Sequence, residues 1–385
     1  MDDPFDLPPD VLRRVPLFAE LSKVLSWSGG PINWDLARQV GVSIAAGENP
    51  APAVDDADHA EVAEHVRIAE LWLAETAGMP EAGHLVTARA ATPADWADRA
   101  PSMFGELIEP ISAKFSNAIT SQMPGGAGPE AVIAQTIGQM APMFIGIQAG
   151  TIMGTLAREV TGAHELGMPV SDDGLLIVLD TVDAIATEYR IDRRLVRQWV
   201  ALRAAAHRTA FEGFHWLRAH FFAQYHDYVA SLDVDLAQGM EQLRELDLSD
   251  PARLQEVLGE RGGLFAAQPS PQTAAAAARI DRLLTLVDAH TTAASEEAGT
   301  RTGDAGRLAE AFARRAATGG AGRGLLRDFI GLDAPSNPRA AAIFVRAVLA
   351  RGGWPRLNRM WDDPDALPAV EEISEPELWL RRVAG

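Results

Sequence analysis

Apolar residues recur at steps of three and four along most of the chain and alternate in few places, which is the pattern of amphipathic helices rather than half-buried strands. That pattern predicts helices near residues 10–26, 34–47, 55–77, 93–100, 102–122 and 131–157. Thr92, Pro93 and Asp95 mark one start clearly, as a hydroxyl N-cap, a proline at the first helical position and an acid in the first turn. Further along, a helix capped by Asp192 is predicted to run to about residue 211. Others follow near 214–231, 236–245, 251–259, 272–298, 305–317, 322–331 and 338–350. The best strand is residues 175–179, a short apolar run containing Ile177 and Val178 and introduced by Asp172-Asp173-Gly174. Loops are expected at residues 124–128, at Gly262-Gly263 and at Ser270-Pro271. The expected fold is mainly α with very little β-sheet. It consists of an N-terminal helical half (1–170) and a second half (171–385), joined as one compact body.

One predicted helix needs a separate test, because residues 131–157 carry no formal charge and hold Gly146, Gly150 and Gly154 at four-residue spacing. Gln135, Gln139, Gln148 and the internal Pro142 argue for a buried helix of a soluble fold, in which small residues let a neighbouring helix approach closely. A membrane is therefore not an expected partner, although a homo-oligomer is compatible with the same stripe. The N-terminus, Met1 to Pro9, is acidic and proline-bearing and lacks the basic and apolar regions of a secretory signal, so the expected compartment is the cytoplasm.

Composition removes whole classes of chemistry. With no cysteine there is no thiol nucleophile, disulfide, zinc ribbon or iron–sulfur cluster. A formal charge of −19 argues against nucleic acid as a partner, since phosphate would be repelled. No Gly-Lys phosphate loop is present, and no Gly-x-Ser-x-Gly elbow. Gly126-Ala127-Gly128 imitates a dinucleotide fingerprint but follows no strand, and Pro129 removes a donor where phosphate would sit.

The informative stretch is residues 192–226. On its first helix Leu195, Trp199, Leu202 and Ala206 form a packing stripe, while Arg203 and His207 lie one turn apart and about 40° around the axis. A zinc peptidase would place two histidines at those two positions, with a glutamate directly after the first to take a proton from metal-bound water. Here the glutamate position is Ala204.

Four segments carry a resemblance to a known family. They are Pro16-Leu17-Phe18-Ala19-Glu20-Leu21 with residues 28–39, residues 144–150 with 154–159, the helix above with Trp216-Leu217-Arg218, and Ala313-Arg314-Arg315 through Gly331-Leu332 to residues 361–368. Over nearly its whole length the chain resembles the zincin-like family of zinc-dependent metallopeptidases of high-GC Gram-positive bacteria, some of whose members are named for association with biosynthesis of a deazaflavin coenzyme. The resemblance implies a zincin-like fold with its site on the 192–211 helix. It also implies His-Glu-x-x-His where this chain reads Arg203-Ala204-x-x-His207, and a third ligand near Val287-Asp288-Ala289-His290, where the family has Val-Glu-Gly. Both places have drifted.

Two arrangements can follow from that drift. In the first, Arg203 puts a guanidinium where the metal would be and pairs with Asp288, no cofactor is held, and the cleft serves to bind a small molecule or a protein. In the second, His207, Asp288 and His290 surround a zinc ion and the chain is a hydrolase with a rebuilt site. A third reading leaves His207 as a hydrogen-bonded core histidine. Elsewhere, His215, His220 and His226 scatter around a helix and do not suggest a shared metal. Asp55, Asp56, Asp58, Glu61 and Glu64 suit a helix start and a solvated face better than calcium. Trp34, Trp199, Trp216, Trp354 and Trp361 read as packing anchors. Glu159 and Glu188 are candidate cleft carboxylates, and Arg314 and Arg315 near Gly319-Gly320 a candidate anion contact.

Overall fold

The computed structural model describes residues 29–80, 88–122, 129–170, 175–234, 267–268, 270–332 and 336–383. The expected helices at 10–26, 236–245 and 251–259, the segment Pro16 to Leu21 and the loops at 124–128 and Gly262-Gly263 lie outside the described residues.

The chain folds as helices with minimal sheet: α1 (Trp34–Ala46), α2 (Asp56–Ala77), β1 (Arg89–Ala91), α3 (Pro93–Gln122), α4 (Pro129–Ala157), β2 (Leu176–Val178), α5 (Leu179–Tyr189), α6 (Arg193–Gly213), α7 (Leu217–Ser231), β3 (Asp233–Val234), β4 (Ala267–Gln268), α8 (Pro271–Gly299), α9 (Ala305–Thr318), α10 (Ala321–Ile330), α11 (Pro338–Leu357), α12 (Val370–Ser374) and α13 (Pro376–Arg382). β1 pairs in parallel with β2, Ala90 opposite Ile177, and β3 pairs antiparallel with β4. Capping explains several boundaries. Asp55 accepts from Asp58 N while Asp58 returns to the Asp55 backbone, a reciprocal box, and the left-handed Gly78 closes the same helix. Asn33, Asp192, Ser270 and Asn337 accept the first amides of α1, α6, α8 and α11.

Where two helices were expected at 93–100 and 102–122 there is one, α3, with Pro101 and Pro110 inside it. Proline at an interior position removes a donor, yet the burial of Phe104, Leu107, Ile108 and Ile111 along one face holds the helix together. Residue 179 belongs to a helix, not to the strand, because α5 follows β2 without a loop. β1 and the helices after residue 369 carry too little periodic signal to be read from the sequence alone, whereas α5 was missed although Leu179, Val182, Ile185 and Ala186 recur at helical spacing and are buried.

Helix α4, uncharged from residue 131 onward, packs on α1 and α3. Its glycine stripe faces α1: a Cβ at Gly146 would stand 2.6 Å from the Asn33 carbonyl oxygen, and one at Gly154 would stand 2.6 Å from that of Gly41. Gly41 in turn faces the Gly150 carbonyl. Two small-residue ridges therefore let the backbones touch, which is the role the spacing predicted. Among the described residues no helix is long and apolar enough to cross a membrane.

At the centre lies α6, packed by α2, α5, α7 and α8. Arg197, only 4% exposed on its side chain, makes a two-toothed contact with Asp183 of α5 (3.0 and 2.8 Å) and reaches Glu61 of α2 at 2.5 Å and Asp58 at 3.4 Å. The acids expected to line a solvated helix start thus include two that grip the central helix. Their pull, that of Asp183 first, raises the Arg197 pKa.

Candidate functional site

From Val196 to Phe211 of α6 every residue is buried except Arg203 and His207. The stripe predicted as Leu195, Trp199, Leu202 and Ala206 is therefore the minimum of a helix enclosed nearly all round, with Leu195 itself half-buried. The slot over Arg203 and His207 is the one opening in that stretch.

Arg203 reaches across to α8. Its Nη2 lies 4.0 Å from Asp288 Oδ1, and its Nη1 donates to Thr292 Oγ1 at 3.4 Å. Asp288 and Thr292 stand one turn apart on α8, so the guanidinium braces two helices at a partly exposed edge. Ala204 is buried beside it.

His207 sits one turn on. Its ring packs on Phe211 at 5.0 Å, its imidazole hydrogen-bonds the Gly167 backbone, and its Nε2 is buried with no hydrogen-bond partner. Burial first, and then the Arg203 charge, bring its pKa down to about 4 against the opposing pull of Gly167. The imidazole is neutral near pH 7.

The sequence reading missed His164. It lies in a single 3-10 turn, Ala163–Leu166, between Gly162 and the left-handed Gly167, and its Nε2 is also buried and unpartnered. Its pKa falls well below the ordinary range through burial first and then through the charge of Arg203, and it lines the same cavity as His207. The signal was a His-Glu pair bracketed by turn glycines, too short to show periodicity. Glu165 anchors that turn, accepting from Thr161 Oγ1 at 2.6 Å and lying 3.4 Å from both Arg315 and Arg323. Each unpaired buried nitrogen costs about 1–3 kcal/mol, so two beside one opening are a feature to explain.

His290 lies elsewhere. It stands two positions on from Asp288, about 200° around the helix axis, so with Asp288 at the surface His290 points into the core. It is 0% exposed, with Nε2 2.9 Å from Asn358 Oδ1 and ring centroids of Phe214, Trp354 and Trp361 at 6.0, 5.6 and 5.5 Å. Asn358 uses its amide hydrogens on the Ala77 and Gly78 carbonyls, so its Oδ1 accepts and His290 Nε2 carries the proton. Burial brings the His290 pKa down to about 4.

Among the described residues no three histidine, aspartate or glutamate side chains are grouped closely enough to hold a metal ion. A zinc site needs three or four nitrogen, oxygen or sulfur ligands. At this place stand a guanidinium, an alanine and one histidine, so the residues do not fit zinc.

A cavity of about 490 Å³ opens beside His207 and Ala204, and Arg203, Asp288 and His290 are not among the residues that line it. His164, Ala204, His207 and Phe211 line it, with Trp96, Met103, Leu175 and Leu176 as apolar wall and Arg208, Glu212, His215 and Arg218 as polar rim. Arg208 is held by Glu212 at 3.0 Å and Glu70 at 3.2 Å, and Arg218 by Glu106. His215 joins this wall, whereas His220 contacts Gln224 and His226 leans on Phe222, so the three do not converge. A second cavity, about 560 Å³, holds Glu159 and Glu188 together with Arg315, Gly319 and Gly320. There the Glu159 carboxylate already takes the Gly322 amide at the start of α10, and Arg315 donates to the Glu159 carbonyl, so the expected anion contact is satisfied within the chain. Arg314 pairs with Glu310. Trp199 and Trp361 are buried, and Trp34, Trp216 and Trp354 pack against the core.

Comparison with known proteins bears on the family and the fold. The family model described as "Zincin-like metallopeptidase" matches residues 32–380. The fold is similar to that of a Chloroflexus aurantiacus protein described as "a putative hydrolase with a novel fold", with a TM-score of 0.67 at 18% identity, covering 92% of this chain and 99% of that one. No curated protein matches significantly.

Proposed function

Because the chain belongs to the zincin-like metallopeptidase family, we propose that it is a member that no longer cleaves peptides with zinc and keeps the cleft over α6 to bind a ligand or partner. The observation that carries this reading is the guanidinium of Arg203 at the first ligand position, 4.0 Å from Asp288. A fixed positive charge there repels a metal ion and answers the nearby carboxylate in its place. Ala204 supports the same conclusion, since a methyl group cannot take a proton from water.

The competing reading is a hydrolase whose metal rests on His207, Asp288 and His290, and the description of the Chloroflexus protein as "a putative hydrolase" is what favours it. It requires His290 to leave Asn358 and its three aromatic neighbours and turn to the far side of α8. Elemental analysis of the purified protein, with His207→Ala alongside and both dialysed without strong chelator, separates the two. Binding without metal gives no stoichiometric zinc in either protein. Near-stoichiometric zinc in the wild type that disappears in the variant would overturn the proposal and make peptidase assays the next step.

A further inference from the structure

The geometry points to a second binding site, in the 560 Å³ cavity, for a basic amino acid, with its carboxylate on Arg158 and its two cationic groups on Asp180 and Glu188. This cavity shares no lining residue with the one beside His207, so the site stands independently of what the cleft over α6 does. Its walls are the end of α1, the residues that follow α4, one face of α5 and the turn between α9 and α10.

Much of the charge around this cavity is already spent. Arg315 and Arg323 answer Glu165, and the Glu159 carboxylate takes the Gly322 amide. Three charged side chains are left. Arg158 lies across the end of α1, where a Cβ on Gly47 would stand 3.0 Å from its Nη1. A helix C-terminus favours a cation there, yet the guanidinium makes no hydrogen bond or ion pair with any described residue, which leaves its N–H donors for an anion. Asp180 and Glu188 likewise have no cationic partner among the described residues. Asp180 is half-buried, where an unpaired carboxylate costs free energy, and burial followed by the neighbouring Asp183 raises its pKa accordingly.

The two carboxylates belong to residues eight apart on α5, about 12 Å along the axis and about 80° around it, with Ala184 between them. Helical side chains lean the same way, towards the N-terminus, so the carboxylates keep that order of spacing and suit two cationic groups rather than one. An extended lysine with a hydrogen bond at each end covers such a span, and its α-carboxylate is then left for Arg158. Charge agrees: one guanidinium against two carboxylates leaves the site a single negative charge, and a basic amino acid brings a single positive one. Ala45, Pro93 and Ile185 supply apolar surface for its aliphatic chain, and the volume is that of a small-molecule site.

The test uses three probes of one chain length: L-lysine, L-norleucine, which lacks the terminal ammonium, and cadaverine, which lacks the carboxylate. Each is titrated by calorimetry into the full-length protein at pH 7.5 and low salt. Lysine should saturate one site. Norleucine and cadaverine should bind at least tenfold more weakly, the change in Kd expected for one lost charged hydrogen bond. Arg158→Gln should weaken lysine to the level of cadaverine and leave cadaverine unchanged. Asp180→Asn and Glu188→Gln should each weaken lysine at least tenfold, and in one of the two lysine and norleucine should become equal. Ala184→Trp, at an exposed position between the two acids, should block all three probes. These positions are exposed or half-buried, so each variant should keep the thermal midpoint of a folded protein. The proposal is overturned if lysine shows no saturable binding, if norleucine or cadaverine binds as well as lysine, or if lysine binds the Arg158 variant or both acid variants as it binds the wild type.

Discussion

Acid should destabilise this protein partly through one histidine that touches no charge. His290 is fully buried among aromatic rings, and the influences on its pKa are burial and the Asn358 hydrogen bond. Its pKa is about 4 when folded and 6.5 when free. The folded form therefore binds fewer protons than the unfolded form between those values, so stability is complete above pH 6.5 and lost as pH falls towards 4. At pH 4.5 the unfolded histidine is almost wholly protonated and the folded one mostly neutral, a difference of about 2–3 kcal/mol at 1.36 kcal/mol per pH unit. His290→Gln isolates this contribution, because the glutamine Nε2 can donate to Asn358 as the imidazole does while never titrating. Urea unfolding of wild type and variant at pH 7.5 and 4.5 gives the comparison. The wild type should lose about 2–3 kcal/mol more than the variant over that interval. Equal losses would refute the assignment of His290 as a buried neutral imidazole.

Other outcomes follow from the same geometry. Arg197→Met should cost about 3–5 kcal/mol in urea unfolding, because it leaves Asp183, Glu61 and Asp58 facing one another without their shared cation; a loss below about 1 kcal/mol would show that water replaces the guanidinium freely. Gly154→Ala should destabilise by about 1–3 kcal/mol, since its methyl would press on the Gly41 carbonyl and Ile44, and the thermal midpoint would report it. The double variant Arg203→His/Ala204→Glu should retain zinc through dialysis where the wild type does not. A metal-free double variant would mean that more than residue identity has been lost at the site.

Much of this fold is legible in the sequence because helices announce themselves locally. Asp55, Thr92, Asp192, Ser270 and the proline-led starts fix boundaries to within a residue or two, and the Gly146, Gly150 and Gly154 spacing identifies a close helix contact before any partner is known. What stayed hidden depends on tertiary neighbours. β1 is three residues long and exists because β2 pairs with it across the 84 intervening positions 92–175 of unrelated pattern. α3 runs through Pro101 because burial outweighs the missing donor.

At the site, the positions of Arg203, Ala204 and His207 could be read from spacing joined to resemblance, and so could the neighbourhood of Asp288. His290 could not be placed, since two residues on a helix reverse direction and only the packing of α8 decides which of the pair faces the cleft. His164 was missed altogether. A one-turn helix has no period, and its importance comes from Arg203 and His207, which lie about forty residues away in the chain.

Asn358 joins the last carbonyls of α2 to the His290 core, bonding Ala77 O at 2.9 Å across 281 residues of sequence. During synthesis the ribosome makes about 5–20 residues per second, so the end of α2 waits roughly 15–55 s for the amide that completes it. Until then the nascent chain must carry that helix end and the aromatic pocket around His290 unfinished. The protein thus reaches its native state only after residue 358 has emerged, and chaperones that shield apolar surface have their longest opportunity to act on it before then.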